Sequence, residues 1–160
     1  MTQGYQLVDE DVSKVTRTMV FAKPNVVVVL DEVAFNGRAK TLEARFFPDN
    51  RDGLAAVEAK RTGFRIQRPN ATLFGGYAST ANAAARTDLL ELVPVVNDGS
   101  GKDADKDFGE FPFIGIKARA AVSHSLVTVM VARPGNTDVA PGISIRKVDA
   151  GWATITVTRE

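Results

Sequence analysis

Apolar and polar residues alternate with a period of two along much of this chain. In the stretch 114–122, isoleucine, alanine or valine occupies every second position, and Lys117 and Arg119 fall between them. Valine, isoleucine and threonine together supply 39 of the 160 residues, and valine outnumbers leucine 20 to 9. Side chains branched at Cβ pack well on a pleated surface, and a period of two places them on one face of a strand. The chain is therefore predicted to be all-β.

Turn residues divide the chain into short segments. Lys23-Pro24-Asn25 separates two apolar stretches and predicts a hairpin, and Asn36-Gly37 predicts a tight turn into a third antiparallel strand. Strands are predicted over residues 12–22, 26–34, 42–46, 56–59, 63–67, 71–74, 86–96, 114–122, 126–132, 143–148 and 152–158. Residues 78–85 are predicted to form one helical turn or a loop of small residues, and residues 97–109 a polar loop. About ten or eleven strands with little or no helix predict a two-sheet antiparallel β-sandwich.

Length and charge exclude several classes of protein. At 160 residues the chain is expected to form a single domain, residues 1–160. A net charge of +1 argues against a nucleic-acid partner, and the absence of cysteine excludes disulfides and thiolate zinc sites. The longest apolar runs are too short to span a membrane, so no membrane partner is predicted. The first four residues lack the features of a signal peptide, and we expect the chain to be a piece of a longer protein.

Few residues suggest chemistry. His124 is the single histidine, so a multi-histidine metal site is excluded, and the sequence has no nucleophile elbow for a serine hydrolase. Asp103, Asp105 and Asp107 have calcium-loop spacing, but Phe108 and Ile114 occupy the positions that require Gly and Glu. A solvated loop is the prediction there, and no metal or other cofactor is expected.

Three side chains are candidate contacts for a carbohydrate or a partner. Trp152 shares the parity of the threonines in the last strand, so it could stack on a sugar ring or be a half-buried edge residue. Tyr77 has no neighbouring base in the sequence that would activate it. His124 is read as a turn or structural histidine, with substrate contact as the alternative. Arginines on the strands could clamp carboxylates or lie on a solvated surface: Arg17, Arg45, Arg65 and Arg119.

The segment 15–33 carries a family resemblance. An arginine-bearing strand, a Lys-Pro turn and a valine-rich strand ending at Asp31 resemble the C-terminal β-sandwich of heparinase II/III-like polysaccharide lyases. Phe64-Arg65-Ile66, the stretch 126–131 with Pro134 after it, and Gly151-Trp152 are similar to later segments of that domain. The resemblance implies an N-terminal α/α-toroid domain in the parent and β-elimination of a uronic-acid polysaccharide. It also implies a periplasmic or secreted protein.

No catalytic residue of that family can be carried over to this chain. The resemblance places the tyrosine base and most catalytic histidines in the toroid, and the β-domain histidine upstream of the Arg17 strand. His124 does not match that motif. We therefore expect a non-catalytic scaffold and cleft wall, inactive by itself, with the toroid and a uronic-acid polysaccharide as partners. The alternatives are a carbohydrate-binding module and a structural sandwich from a surface or filament assembly.

Overall fold

The computed structural model describes residues 2–92, 109–149 and 152–158, with side chains except those at 3, 92, 147–149 and 152. Within these ranges the chain forms one short helix and eleven strands, and this confirms the all-β prediction. The elements are α1 (Thr2–Gln6), β1 (Val12–Ala22), β2 (Val26–Phe35), β3 (Lys40–Phe46), β4 (Ala56–Lys60), β5 (Gly63–Arg68), β6 (Ala71–Ser79), β7 (Ala83–Leu92), β8 (Gly109–Ala121), β9 (Ser123–Pro134), β10 (Gly142–Asp149) and β11 (Trp152–Thr158). None of the described helices is long and apolar enough to cross a membrane.

A six-stranded antiparallel sheet forms the centre, in the order β1-β2-β9-β6-β5-β4. Its strand β9 is buried on both faces, and the four consecutive residues from Leu126 to Val129 are all buried. A strand covered on both sides does not alternate between apolar and polar residues. This is why the sequence of β9 reads as a continuous valine-rich run.

The two faces of this sheet pack on different partners. One face meets the three-stranded sheet β3-β8-β7, and their shared core includes Ile114 and Ile116 of β8 and Leu126 of β9. The other face meets the hairpin β10–β11, where Ile143 and Ile155 cover a valine cluster of β2 and β9. The predicted sandwich is therefore present, and the last hairpin adds a third layer to it.

One local prediction is wrong, and one strand pairs in a way that the sequence did not indicate. The turn at Asn36-Gly37 exists, and Gly37 has a φ of +78°, but β3 does not pair with β2. It crosses to the other sheet and pairs with β8. Residues 78–85 form neither a helical turn nor a loop throughout, because Ala83 to Ala85 pair with β8. Tertiary pairing outweighs the weak strand propensity of alanine. The loop predicted at 97–109, its aspartates included, and Pro94 fall almost entirely outside the described residues.

Candidate functional site

His124 is a buried residue of the central sheet. Its side chain lies on the face of β9 that meets the three-stranded sheet, and the residue is 2% exposed. Nε2 lies 2.7 Å from the carbonyl oxygen of Lys40, so Nε2 carries the proton and donates it. Phe35 packs against the imidazole edge-to-face at 6.0 Å between ring centres. Nδ1 is buried, and no hydrogen-bond partner for it is found among the described residues. The contact with β3 ties the two sheets together, and contact of His124 with a polysaccharide stays a prediction.

Tyr77 also links the sheets. Its hydroxyl oxygen accepts the backbone N–H of Ala85 at 2.9 Å and donates to the carbonyl of Arg61 at 3.4 Å. The ring packs, half-buried, against the core between the two larger sheets. The hydroxyl is therefore engaged in holding β7 and the turn before β5.

The three candidate contacts are not brought into one site. Tyr77 pairs with Thr128, four residues along β9 from His124, a separation of about 13 Å along a strand. Trp152 lies in β11 opposite Asp149, in the hairpin on the other face of the central sheet, and its side chain is outside the described part. Tyr77 and Trp152 as carbohydrate contacts also stay predictions.

A cleft of about 300 Å³ lies between β1, β2 and β3. Its walls are largely apolar and include Val15, Val33 and Leu42. One ion pair stands among them: Nε of Arg17 donates to Oδ1 of Asp31 at 2.6 Å, and Nη2 donates to Oδ2 at 2.9 Å. Asp31 is 6% exposed, and its hydrogen bonds with Arg17 raise the pKa of the guanidinium. Because the two charges are opposite and in direct contact, the pair adds no net charge to the cleft.

Lys40, at the start of β3, pairs with two aspartates that precede β1, and one of them, Asp9, lines the cleft. Its Nζ lies 2.6 Å from Oδ1 of Asp9 and 2.8 Å from Oδ2 of Asp11. Hydrogen bonds to Asp11 and Asp9 raise the pKa of Lys40. These contacts fasten the segment between α1 and β1 to the start of β3.

A second charged group lies on the outer face of the three-stranded sheet. Glu43 accepts hydrogen bonds from Arg45 and Arg86, each at 2.8 Å, and both guanidiniums lie over the ring of Phe113 at 5.2 and 5.9 Å. Burial acts to raise the pKa of Glu43, but the hydrogen bonds from the two arginines outweigh it and the net shift is downward. Arg86 also pairs with Asp88. Each arginine already has an acidic partner, so neither presents an uncompensated charge to a ligand.

Comparison with solved structures identifies the fold. A crystal structure of heparinase III matches 94% of this chain with a TM-score of 0.69 and 14% sequence identity. The chain has the fold of one part of heparinase III. A second heparinase III, with methylated lysines, matches 92% of this chain (TM-score 0.66, 11% identity), and the heparan sulfate lyase HepC from Pedobacter heparinus matches 93% (TM-score 0.61, 11% identity). The chain spans 22 to 24% of the length of these three proteins. No family model matches the chain, and no curated protein matches it.

Within this heparinase III fold, sequence reasoning missed the pairing of the arginines. Arg17 faces Asp31 across the first hairpin, and Arg65 pairs with Glu58 and Asp138. The first pair was within reach of the sequence, because the predicted turn at residues 23–25 sets the register that puts positions 17 and 31 opposite each other. Asp138 lies in a loop far along the chain, and no local signal indicates it. No cluster of three or more potential metal ligands occurs in the part of the chain that the structure describes.

Proposed function

We propose that this chain is a non-catalytic β-sandwich portion of a polysaccharide lyase, in which it acts as scaffold and as one wall of the substrate cleft. The observation that carries the proposal is the match to heparinase III over 94% of this chain and 23% of that protein. The larger part of that protein therefore lies outside the region that matches this chain. An N-terminal α/α-toroid is the partner that the sequence resemblance implies.

The positions of the described side chains support the non-catalytic role. Abstraction of a proton beside a uronate carboxylate requires a base within about 3 Å and a group that stabilises the developing charge. His124 is 2% exposed and uses Nε2 on a backbone carbonyl, so it has no path to a substrate in this structure. The Tyr77 hydroxyl is held between two backbone groups. Tyr5 is 52% exposed and lines the cleft, where Arg17 and Asp31 form an ion pair with each other.

We further propose a uronic-acid polysaccharide as the substrate of the parent and a periplasmic or secreted location. Both follow from the family resemblance. The near-neutral charge of the chain gives it no general attraction for a polyanion. Recognition of the substrate is therefore assigned to the assembled cleft.

Lyase activity is tested by incubating heparan sulfate, alginate and hyaluronan with the 160-residue chain, and separately with a longer polypeptide that contains it. Ultraviolet absorbance from the new conjugated double bond reports β-elimination. We expect turnover by the longer polypeptide only. Turnover by the chain itself that is lost in a folded His124→Gln variant and kept in Tyr77→Phe would contradict the scaffold role. Inactivity of the longer polypeptide on all three substrates would contradict the assignment to such a lyase.

A further inference from the structure

The free edge of β1 differs from the other edge of the central sheet. β4, at the far side, has five residues, among them Glu58 and Lys60, and short charged edges resist pairing with other strands. β1 has eleven residues, and its last five, from Thr18 to Ala22, carry no charge. A long edge strand with an uncharged end is a template for pairing with another strand.

The backbone of β1 shows which groups are open to such pairing. Thr2 of α1 caps this edge at one point: its hydroxyl accepts the N–H of Val15 at 3.0 Å and donates to the carbonyl of Val15 at 3.3 Å. Val15 therefore directs its backbone polar groups away from β2. The register with β2 runs without a shift from Lys14 onward, so the backbone groups of Arg17, Met19 and Phe21 also point away from the sheet.

The side chains beside this edge are apolar and uncovered. Met19 is 66% exposed and Phe21 58% exposed, and both lie on the face of the central sheet that meets the three-stranded sheet. Val20, on the opposite face, is 54% exposed. The shared core between the two larger sheets contains no residue of β1 among those described. Around Met19, Val20 and Phe21, therefore, neither the backbone edge of β1 nor the side chains on its two faces have a packing partner among the described residues.

A second copy of this chain fits that surface poorly. Two β1 strands paired antiparallel about a two-fold axis would satisfy the backbone edge. The three-stranded sheets of both copies would then lie on the same side of the joined sheet, and Met19 and Phe21 would stay exposed in the gap between them. A partner that supplies a strand together with apolar side chains from a packed domain covers both the backbone edge and these two side chains.

We propose that the edge of β1 from Arg17 to Phe21 is the docking site where the remainder of the parent lyase polypeptide adds a strand to the central sheet. This inference rests on the proposed function, because the structures of the same fold are about four times as long as this chain. The added strand pairs with the outward backbone groups of Arg17, Met19 and Phe21. Apolar side chains next to it cover Met19 and Phe21 and continue into the cleft between β1 and β3.

Amide hydrogen exchange tests the docking site in the 160-residue chain and in the longer polypeptide. In the chain alone, the outward amides of Met19 and Phe21 are expected to exchange nearly as fast as unstructured amides, while those of Thr18 and Val20, which face β2, are protected. In the longer polypeptide the outward amides are expected to slow by about 100-fold or more. Equal exchange of Met19 and Phe21 in both proteins would overturn the proposal. Protection that grows with concentration in the chain alone, together with a dimer in sedimentation, would overturn it in favour of a second copy.

Substitutions give an independent test with a matched control. Met19→Lys places a charge on the proposed site, whereas Val122→Lys changes a side chain of similar exposure, 52%, at the β8–β9 corner. We expect Met19→Lys to weaken binding of the chain to the separately produced remainder by about tenfold or more, and Val122→Lys to leave it unchanged. Equal effects would count against the site. If the outward amides of β1 are protected in the longer polypeptide but no polysaccharide is cleaved, the proposed function is contradicted and the docking site is supported. If polysaccharide is cleaved but these amides are not protected, the docking site is contradicted and the proposed function is supported.

Discussion

At the scale of single residues, the described ion pairs neutralise charge locally. Arg17 and Asp31 form a bidentate pair in which the acid is nearly buried and the arginine side chain is 37% exposed. Arg68 pairs in the same bidentate way with Asp52 on the surface. A buried carboxylate depends on its partner far more than an exposed one does. The burial of Asp31 therefore makes the first pair the more important for stability.

Replacement of the two members of this pair should have unequal effects. Arg17→Met leaves the nearly buried carboxylate of Asp31 without its cation, and we expect a loss of about 2 to 3 kcal/mol in the free energy of unfolding. Asp31→Asn leaves a guanidinium that can reach water, and we expect about 1 kcal/mol. Urea unfolding at pH 7 measures both. The exposed pair Arg51 with Asp49 serves as control, and Arg51→Met should leave the urea midpoint nearly unchanged. Equal losses for the Arg17 and Asp31 variants would contradict this account.

At the scale of elements, two adjacent glycines in β6, Gly75 and Gly76, allow side chains of β5 and β10 to pack directly on the backbone of β6. Phe64 of β5 lies directly opposite Gly75 of β6, and its ring occupies the space above that glycine. On the other face, Gly76 lies against Ile143 of the last hairpin. The absence of a side chain at these two positions lets an aromatic ring pack on one face of β6 and the hairpin pack on the other.

Substitution of each glycine by alanine should show how much each of these two contacts contributes to stability. In Gly75→Ala the new Cβ overlaps the ring of Phe64, which is 2% exposed and has nowhere to move, so we expect a loss of about 1 to 3 kcal/mol. In Gly76→Ala the nearest atom is Cγ2 of Ile143 at 2.9 Å, a much less severe overlap than the one with Cζ of Phe64 at Gly75, so the loss should be smaller. Urea unfolding distinguishes the two variants. Phe64→Leu should cost less in the Gly75→Ala background than in the native chain, and purely additive losses would show that the ring is not the cause.

At the scale of the whole molecule, the balance of charge determines how the chain meets polyanions. The net charge is +1, and Arg45, Arg65 and Arg68 each form an ion pair with an acidic side chain on the surface. Such a surface produces little long-range field, and salt screens what remains within about 8 Å at physiological ionic strength. The chain alone is therefore expected to be a poor heparin binder despite the fold that it shares with heparinase III.

Calorimetry with heparin and alginate at low and physiological salt checks this expectation. We expect dissociation constants weaker than about 1 μM under both conditions. Glu43→Gln removes the acid between Arg45 and Arg86, and it should increase salt-dependent heparin binding relative to the native chain. Submicromolar binding by the native chain that weakens with salt would favour a carbohydrate-binding module over a scaffold.

The sequence by itself determined the fold class and the bounds of the first and last strands. Period-two patterns and turn residues act over a few neighbouring positions, so β1 and β11 begin and end where the patterns predict, and the first and last hairpins pair as expected. The alternation of threonine with apolar residues in β11 likewise matches its exposed and packed faces. The folding class follows from these local preferences alone.

Only the tertiary structure decided which strands pair across the chain. β3 pairs with β8, and alanines 83–85 form a strand because β8 lies beside them. His124 contacts Lys40 of β3 and Phe35 of β2, and these contacts form only when the strands assemble. These contacts join residues about 30 to 90 positions apart, and their free energy depends on burial that exists only after the sheets pack. Tyr77 and His124 are separated for the same reason: their positions along β6 and β9 are fixed by pairing between distant strands, which no short window of sequence contains.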